Sequence, residues 1–309
     1  MTRAATIIGL GRIGMTNDPD DPSHFAVLTH AKALNQSQDF ALEAGIDPQS
    51  ELCDEFSRRY AAPAFLSLKE LPDNLGRDVV VIAAPTASHL PLVQKLMARG
   101  APKAILLEKP MGGSKAEAEA IAELCLVNGT QVYINYHRAA LPSSSIIKGM
   151  LSGGTVDPPY FGDALISGDR LTNGSHMVDL LLDWLGAVNA KRIDPVTEGL
   201  WLEFDRCDVL LRQIKPGTFS IFELTLMANN GRLRFDGWSD RWWWEAMEKD
   251  PLTEGYSCLG EPQFHESTGV EKFMAHVYAD VAQGLSNQPS NLRRLNRALA
   301  VHDVLEGWV

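Results

Sequence analysis

Three glycines stand at a spacing that main-chain chemistry can use. Thr6 to Gly14 reads TIIGLGRIG, an apolar run that opens into GxGxxG. In a dinucleotide-binding turn, Gly9 would make the tight bend and Gly11 would let a pyrophosphate approach the backbone. Gly14 would let the next helix pack close to the sheet. The first N–H groups of that helix then face the phosphates, so Arg12 and Ile13 count with the glycines as cofactor-binding positions. A carboxylate at the end of the second strand would hold the adenosine ribose hydroxyls, and Asp47, closing FALEAGID, is the candidate. Such a carboxylate repels a 2′-phosphate, which points to NAD, although a nearby arginine would admit NADP. Asp47 lies 33 residues after Gly14, where roughly 20 are expected. The excess is assigned to Thr16–His24, TNDPDDPSH, too rich in Asp and Pro to continue a helix. This inserted acidic loop is expected to be a solvated surface loop, with a flap over the site as the functional alternative.

The elements that must position these residues are legible as alternating patterns. Thr6–Ile8, Phe40–Ile46, Asp78–Ala84, Ala104–Leu107 and Gln131–Asn135 are apolar or β-branched runs that suit strands buried on both faces. Between them Gln49–Tyr60, His89–Arg99 and Ser114–Val127 read as helices, so an α/β domain with a parallel sheet is expected. After Arg138 the pattern changes. A helix over His176–Leu185 stops at Gly186. Strand-like runs then follow without intervening helices at Gly199–Phe204, Val209–Ile214, Phe219–Met227 and Arg232–Phe235, and helical stretches close the chain at Val270–Leu285 and Leu292–Trp308. The fold class is therefore α/β: a dinucleotide-binding domain over residues 1–137 and an α+β domain over 138–309 with an open, largely antiparallel sheet.

Bulk properties narrow the function classes. A chain of 309 residues exceeds what one core usually holds. Its net charge of −11 disfavours a general nucleic-acid binder, which needs a basic face. No apolar run is long enough to cross a bilayer, and Met1-Thr2-Arg3 enters a strand-like run without a secretory signal. Cys53, Cys125, Cys207 and Cys258 form no CxxC pair and no metal-ligand cluster, as expected of reduced cysteines in a cytoplasmic protein without a metal. Trp238, Trp242, Trp243 and Trp244 are expected in a core or subunit interface, with sugar stacking as the functional alternative.

Further motifs carry a resemblance. VIAAPTASH at Val81–His89 and LLEKPM at Leu106–Met111, together with GLGRIG, resemble the glucose–fructose oxidoreductase / inositol dehydrogenase / MocA (Gfo/Idh/MocA) family. That family carries PTxxH after its fourth strand and EKP after its fifth. The segment from Gly45 to Phe65, VYINYHR ending at Arg138, and GSHMVDLLLDWLG from Gly174 are similar too, so the likeness covers most of residues 1–186. It implies a Rossmann domain and a second domain whose sheet often builds dimers or tetramers. It places the nicotinamide near Pro85, Thr86, His89, Glu108 and Lys109, with Lys109 between nicotinamide and substrate. Removing hydride from an alcohol requires removal of the hydroxyl proton. A lysine beside a positively charged nicotinamide has a lowered pKa and can relay that proton.

His176 is the second chemical candidate. Asn173 or Ser175 is expected to cap the helix that it begins, and Asp179 lies on the same helical face. Alone, such a histidine is more often packed than catalytic; its family position favours catalysis. Where the family commonly reads D-x-G-x-H, this chain reads Thr172-Asn173-Gly174-Ser175-His176. Threonine cannot act as a general base at neutral pH. Asp169 and Arg170, just upstream, are candidates for the missing charge, Arg170 for a substrate carboxylate or phosphate. The leading expectation is an NAD(P)-dependent oxidoreductase of a sugar, sugar derivative or polyol, working as a homodimer or homotetramer without nucleic acid or membrane. The alternatives are a hydrolase or lyase acting through transient oxidation, and a ligand-sensing protein that has lost turnover.

Overall fold

The protein is described by a computed structural model over residues 2–21, 23–214, 219–286 and 288–309. The chain divides into two compact units. One runs to His137 and takes in Glu271–His302, and the other is Arg138–Val270 with Asp303–Val309.

Six parallel strands form the sheet of the first unit: β1 (Arg3–Ile8), β2 (Phe40–Ile46), β3 (Ala64–Phe65), β4 (Val79–Ile82), β5 (Ala104–Leu107) and β6 (Gln131–Ile134), in the order β3-β2-β1-β4-β5-β6. Every residue of β4 and β5 is buried, as the unbroken apolar runs require. Each of the Val, Ile and Leu side chains among them contributes about 1.5–3 kcal/mol relative to exposure. Helices α1 (His30–Gln36), α2 (Ser50–Tyr60), α3 (His89–Gly100) and α4 (Lys115–Val127) alternate with the strands. The start of α4 is set by a reciprocal cap: Ser114 accepts from Glu117 N, while the Glu117 carboxylate accepts from Gly113 N. Register then does the positioning. Ile8 pairs with both Ile46 and Ile82, Ile82 with Leu107, and Leu107 with Ile134. Five strands thus end level, and Gly9, Asp47, Ala83, Glu108 and Asn135, the next residue in each case, share the carboxyl edge where α/β sheets take ligands.

In the second unit, α5 (Pro142–Ser152) and α6 (Ser175–Leu185) accompany a sheet of β7 (Tyr160–Ser167), β8 (Ala190–Ile193), β9 (Leu200–Phe204), β10 (Cys207–Ile214), β11 (Phe222–Ala228), β12 (Gly231–Asp236), β13 (Arg241–Lys249), β14 (Ser257–Leu259) and β15 (Gln263–His265). The order is β14-β13-β12-β11-β7-β10-β9-β8, with β15 on β13. All pairs are antiparallel except β7 with β10. The sheet is therefore open and largely antiparallel, as expected. The expected boundaries change at the C-terminus. The last helices, α7 (Phe273–Leu285) and α8 (Gln288–Leu305), group mainly with the first unit rather than with 138–309 as a whole. The physical reason is visible at Tyr278, which lies edge-on to Phe40 of β2 and bonds His30 of α1.

Two other expectations are refined. Trp242 and Trp244 are buried on β13, as expected of a core, whereas Trp243 packs on Phe264 and Arg234 of the other face and Trp238 is exposed. Alternation along a strand separates neighbours in sequence. The acidic insert is a surface loop, as expected, exposed at Thr16, Asn17, Pro19, Asp20, Asp21 and Ser23, and it is pinned at one point. Asp18 is buried and accepts from Leu28 N and from the Thr29 hydroxyl, while Asp20 pairs with Arg58 and Arg59. Pro22 of that insert lies outside the described residues. Among the described residues, no helix is long and apolar enough to cross a membrane.

Candidate functional site

The glycine turn does what its spacing demands. Gly9 adopts φ +98°, and a Cβ there would sit 2.6 Å from the Ala83 carbonyl oxygen. A Cβ at Gly14 would fall 2.0 Å from the Gly9 carbonyl oxygen. At Gly11 a Cβ would meet nothing within 4 Å. Two glycines are thus needed by the chain itself, and the third leaves its face open for something the chain does not supply. Beyond them the helix that opens after the motif is a five-residue π-helical turn, Arg12–Thr16, ending where the acidic insert was expected to stop it. Pro19 and the buried Asp18 prevent its continuation, and α1 begins only at His30.

A cavity of about 640 Å³ lies along this edge, with Gly9, Gly11, Asp47, Pro85, Ser67 and Lys95 in its wall. Four of these were nominated by sequence. Ser67 and Lys95 were not: β3 is only two residues long, too short to show a periodicity, and Lys95 reads as an ordinary exposed helical lysine. The carboxylate of Asp47 accepts from Leu10 N at 2.8 Å and from Gln49 N at 3.0 Å, so it ties the glycine turn to the end of β2. Arg12 is exposed, with Nε on Asn17, and Ile13 is half-buried; neither they, Gly14 nor Thr86 line the cavity. His89 is buried, its ring nitrogens facing the carbonyl oxygens of Ala84 at 3.0 Å and Met111 at 3.3 Å. It links the turn after β4 to the turn after β5.

The end of β5 holds a buried polar chain that sequence reading missed. Glu108 is bonded to His30 Nε2 at 3.0 Å and accepts from Asn135 Nδ2 at 2.5 Å. His30 Nδ1 lies 2.9 Å from the Tyr278 hydroxyl. These partners assign the tautomer: Nε2–H donates to the carboxylate, and Nδ1 accepts from the phenol. Burial pushes the Glu108 carboxyl upward. The hydrogen bond from His30, then that from Asn135 and the charge of Lys109, outweigh it, so the pKa lies below the ordinary value. Burial, reinforced by the Glu108 charge, holds the Tyr278 phenol well above its ordinary range. The second oxygen of Glu108 accepts from Lys109 N at 3.3 Å. Lys109 is half-buried. Asn135 Oδ1 is shut from solvent without a partner among the described residues, the kind of acceptor that a ligand donor satisfies. His30 and Tyr278 gave no signal because they lie 78 and 170 residues from Glu108 in sequence.

In the second unit, the segment before α6 folds as a π-helical turn, Arg170–Gly174. The expected cap is corrected: α6 has no side-chain cap, and it is the preceding turn that is capped, by Asp169, which accepts from the Thr172 N–H at 2.8 Å. Asn173 instead donates to the Ser167 carbonyl, and the Ser175 hydroxyl to the Thr172 carbonyl. Arg170 is spent on structure. Nε donates to Gln213, Nη1 to the Trp308 carbonyl, Nη2 approaches Glu198, and the guanidinium lies over the Trp308 ring. His176 and Asp179 are buried in the first turn of α6, and Thr172 is half-buried.

Residues 5–136 match the model of an oxidoreductase family with an NAD-binding Rossmann fold, GFO_IDH_MocA. The D-xylose 1-dehydrogenase [NADP(+)] of Haloarcula marismortui is 34% identical over 84 residues, a match spanning 27% of this chain and 23% of that protein. Among solved structures, a dehydrogenase (MviM) from Clostridium difficile aligns with TM-score 0.76 at 12% identity, covering 99% of this chain and 98% of that one. A 3-ketoreductase from Actinomadura kijaniata in complex with NADP and TDP-benzene aligns with TM-score 0.73 at 14% identity, covering 98% and 95%. An oxidoreductase from Agrobacterium radiobacter, in complex with NAD+, L-tartaric acid and magnesium, aligns with TM-score 0.70 at 15% identity, covering 99% and 95%. At these identities the structural likeness is one of fold.

Proposed function

From a chain whose residues 5–136 match the model of an NAD-binding oxidoreductase family, GFO_IDH_MocA, we propose an NAD(P)-dependent dehydrogenase or reductase that acts on a CH–OH or carbonyl group of a sugar, sugar derivative or polyol. The observation that carries this reading is the level carboxyl edge. It sets the open face of Gly11, the Asp47 carboxylate and the Glu108–Lys109 turn along one side of one sheet. When bound, the nicotinamide supplies the hydride acceptor or donor. Gly9, Gly11 and Gly14 shape the turn that receives the pyrophosphate. Asp47 stands for the ribose hydroxyls, its charge favouring NAD over NADP; its remaining lone pairs are free to accept them. Pro85 gives the wall after β4, and Thr86 and His89 are proposed to hold the turn behind it.

Lys109 is the group proposed to take or return the hydroxyl proton at Nζ. Buried, ionised Glu108 anchors its backbone. His176, with Asp179 on the same face, is the second proposed acid–base group. Thr172 and Asn173 are proposed to hydrogen-bond substrate hydroxyls, with Asp169 setting their turn. The second unit is proposed to carry substrate recognition and self-association, in a cytoplasmic dimer or tetramer.

The test begins with calorimetric titration of NAD, NADH and NADP, followed by a screen of sugars and polyols for reduced-cofactor absorbance. Lys109→Ala is expected to lower kcat by about 10²–10⁴-fold with cofactor Kd unchanged. Turnover near wild type in that variant would remove Lys109 from the mechanism. Failure of a folded protein to bind any of the three nucleotides would remove the function.

A further inference from the structure

We propose that Arg138 is the docking point for an anionic group, a carboxylate or phosphate, on the molecule this protein acts on. That the ligand is the substrate rests on the oxidoreductase reading above; the site itself rests on the second unit alone.

Arg138 is 8% exposed. Its Nε donates to the Gly237 carbonyl at 3.2 Å, and its guanidinium carbon lies 4.0 Å from the centroid of the Phe222 ring. Burial pulls its pKa down to about 10, against the charge of Asp236. Asp236 offers no direct bond. Its oxygens are taken by its own turn, accepting from Trp238 N, Ser239 N and the Ser239 hydroxyl. Several other partly buried arginines have a carboxylate: Arg59 has Asp20 and Glu55, Arg232 and Arg234 share Glu245, and Arg294 has Asp280; Arg77 has three backbone carbonyls instead. Among the described residues Arg138 has none, and its two terminal nitrogens donate to nothing. Nor do those nitrogens belong to the partnerless polar atoms shut off from solvent. They therefore open onto accessible space.

The result is a cation held in place with its recognition edge unused. Burying a charge without a partner costs free energy, so a site of this kind persists where something repays it. Phe222 fixes the plane of the guanidinium from one face, and Gly237 holds Nε. What remains is the pair of parallel N–H donors that matches the two oxygens of a carboxylate or phosphate. Sequence reading assigned the anion to Arg170; the structure occupies that guanidinium and leaves this one open. The inferred substrate class is a sugar acid or a phosphorylated sugar rather than a neutral one.

The experiment titrates the full-length protein, with saturating NAD, against hexuronates, aldonates and hexose phosphates, each beside its neutral parent sugar. It is repeated for Arg138→Met, which keeps the stem against Phe222, and for Arg138→Lys. At least one anionic sugar is expected to bind, with its neutral parent weaker by about 10- to 100-fold. Arg138→Met is expected to lose the same factor and Arg138→Lys part of it, and inorganic phosphate or acetate to compete in the wild type. Whether the carboxylates or the phosphates bind identifies the group. No preference for anionic over neutral sugars overturns the proposal, as does a folded Arg138→Met with unchanged affinity. Should that variant not fold, absence of competition by phosphate and acetate in the wild type overturns it. Anion binding without NAD reduction would leave Arg138 standing and sink the oxidoreductase reading. Equal turnover of a neutral sugar by wild type and Arg138→Met would do the reverse.

Discussion

The carboxyl edge of the first sheet and the Gly168–Asp179 segment of the second unit were both nominated for chemistry, and they are held in different ways. At the edge, main-chain pairing does the work: five strands end in register, and Gly9, Asp47, Ala83, Glu108 and Asn135 follow by necessity. In the other segment, side chains do it. Asp169 caps the turn, Asn173 reaches back to the Ser167 carbonyl, Gln213 donates to the Gly168 carbonyl, and Arg170 is clamped by three groups. A role fixed by backbone geometry can be read from residue spacing. A role fixed by side-chain partners cannot, because the partners come from distant strands and from the C-terminus.

The largest break in this comparison is at the glycines. Gly14→Val puts a branched side chain into the Gly9 carbonyl and should cost more than about 4 kcal/mol, enough to unfold the first unit. Gly11→Ala meets no protein atom within 4 Å, so its stability should stay within about 0.5 kcal/mol of wild type while NAD affinity falls. Thermal melts and nucleotide titrations on the pair separate the two roles. A destabilised Gly11→Ala, or one that binds NAD normally, would show that the open face is not the cofactor's.

Next comes the buried chain at Glu108. His30→Ala strips a buried carboxylate of its main partner and should cost about 3–5 kcal/mol; Glu108→Gln, which removes the charge as well, should cost less. The sign with pH follows from the lowered Glu108 pKa. Its contribution is fully present above the ordinary value of 4.5 and is lost as pH falls through the lower folded value. Denaturant melts of wild type and Glu108→Gln should therefore differ at neutral pH and converge on acidification below 4.5. Curves that stay parallel would mean that Glu108 is not ionised in the folded protein.

These outcomes bear on what the sequence could reveal. Glu108 was named through the resemblance carried by LLEKPM, a motif that follows a fully buried run at the carboxyl end of a strand. His30 and Tyr278 were not, since a histidine opening a seven-residue helix and a tyrosine in the penultimate helix have no local pattern tying them to it. The same limit explains the missed strands. β3 has two residues, and β14 and β15 three each, too few for alternation to register. β13 carries three consecutive tryptophans that hide its alternation in a string of uniformly large side chains. Arg138 went unmarked because its meaning lies in Phe222 and Gly237, more than eighty residues away.

The smallest effects are expected in the side-chain-held segment, and they test whether its ties are local. Asp169→Ala removes the cap on the Thr172 N–H and should cost about 1 kcal/mol. Arg170→Met loses half-exposed bonds to Gln213 and Glu198 that solvent can replace, and should cost about 1 kcal/mol as well. If Arg170 serves only structure, this variant should keep its affinity for every sugar that wild type binds. An Arg170→Met that melts normally yet loses anionic sugars would return the anion to Arg170. The contrast with Arg138 would then fail, because a guanidinium with three protein partners would have proved the better receptor than one whose terminal nitrogens have none.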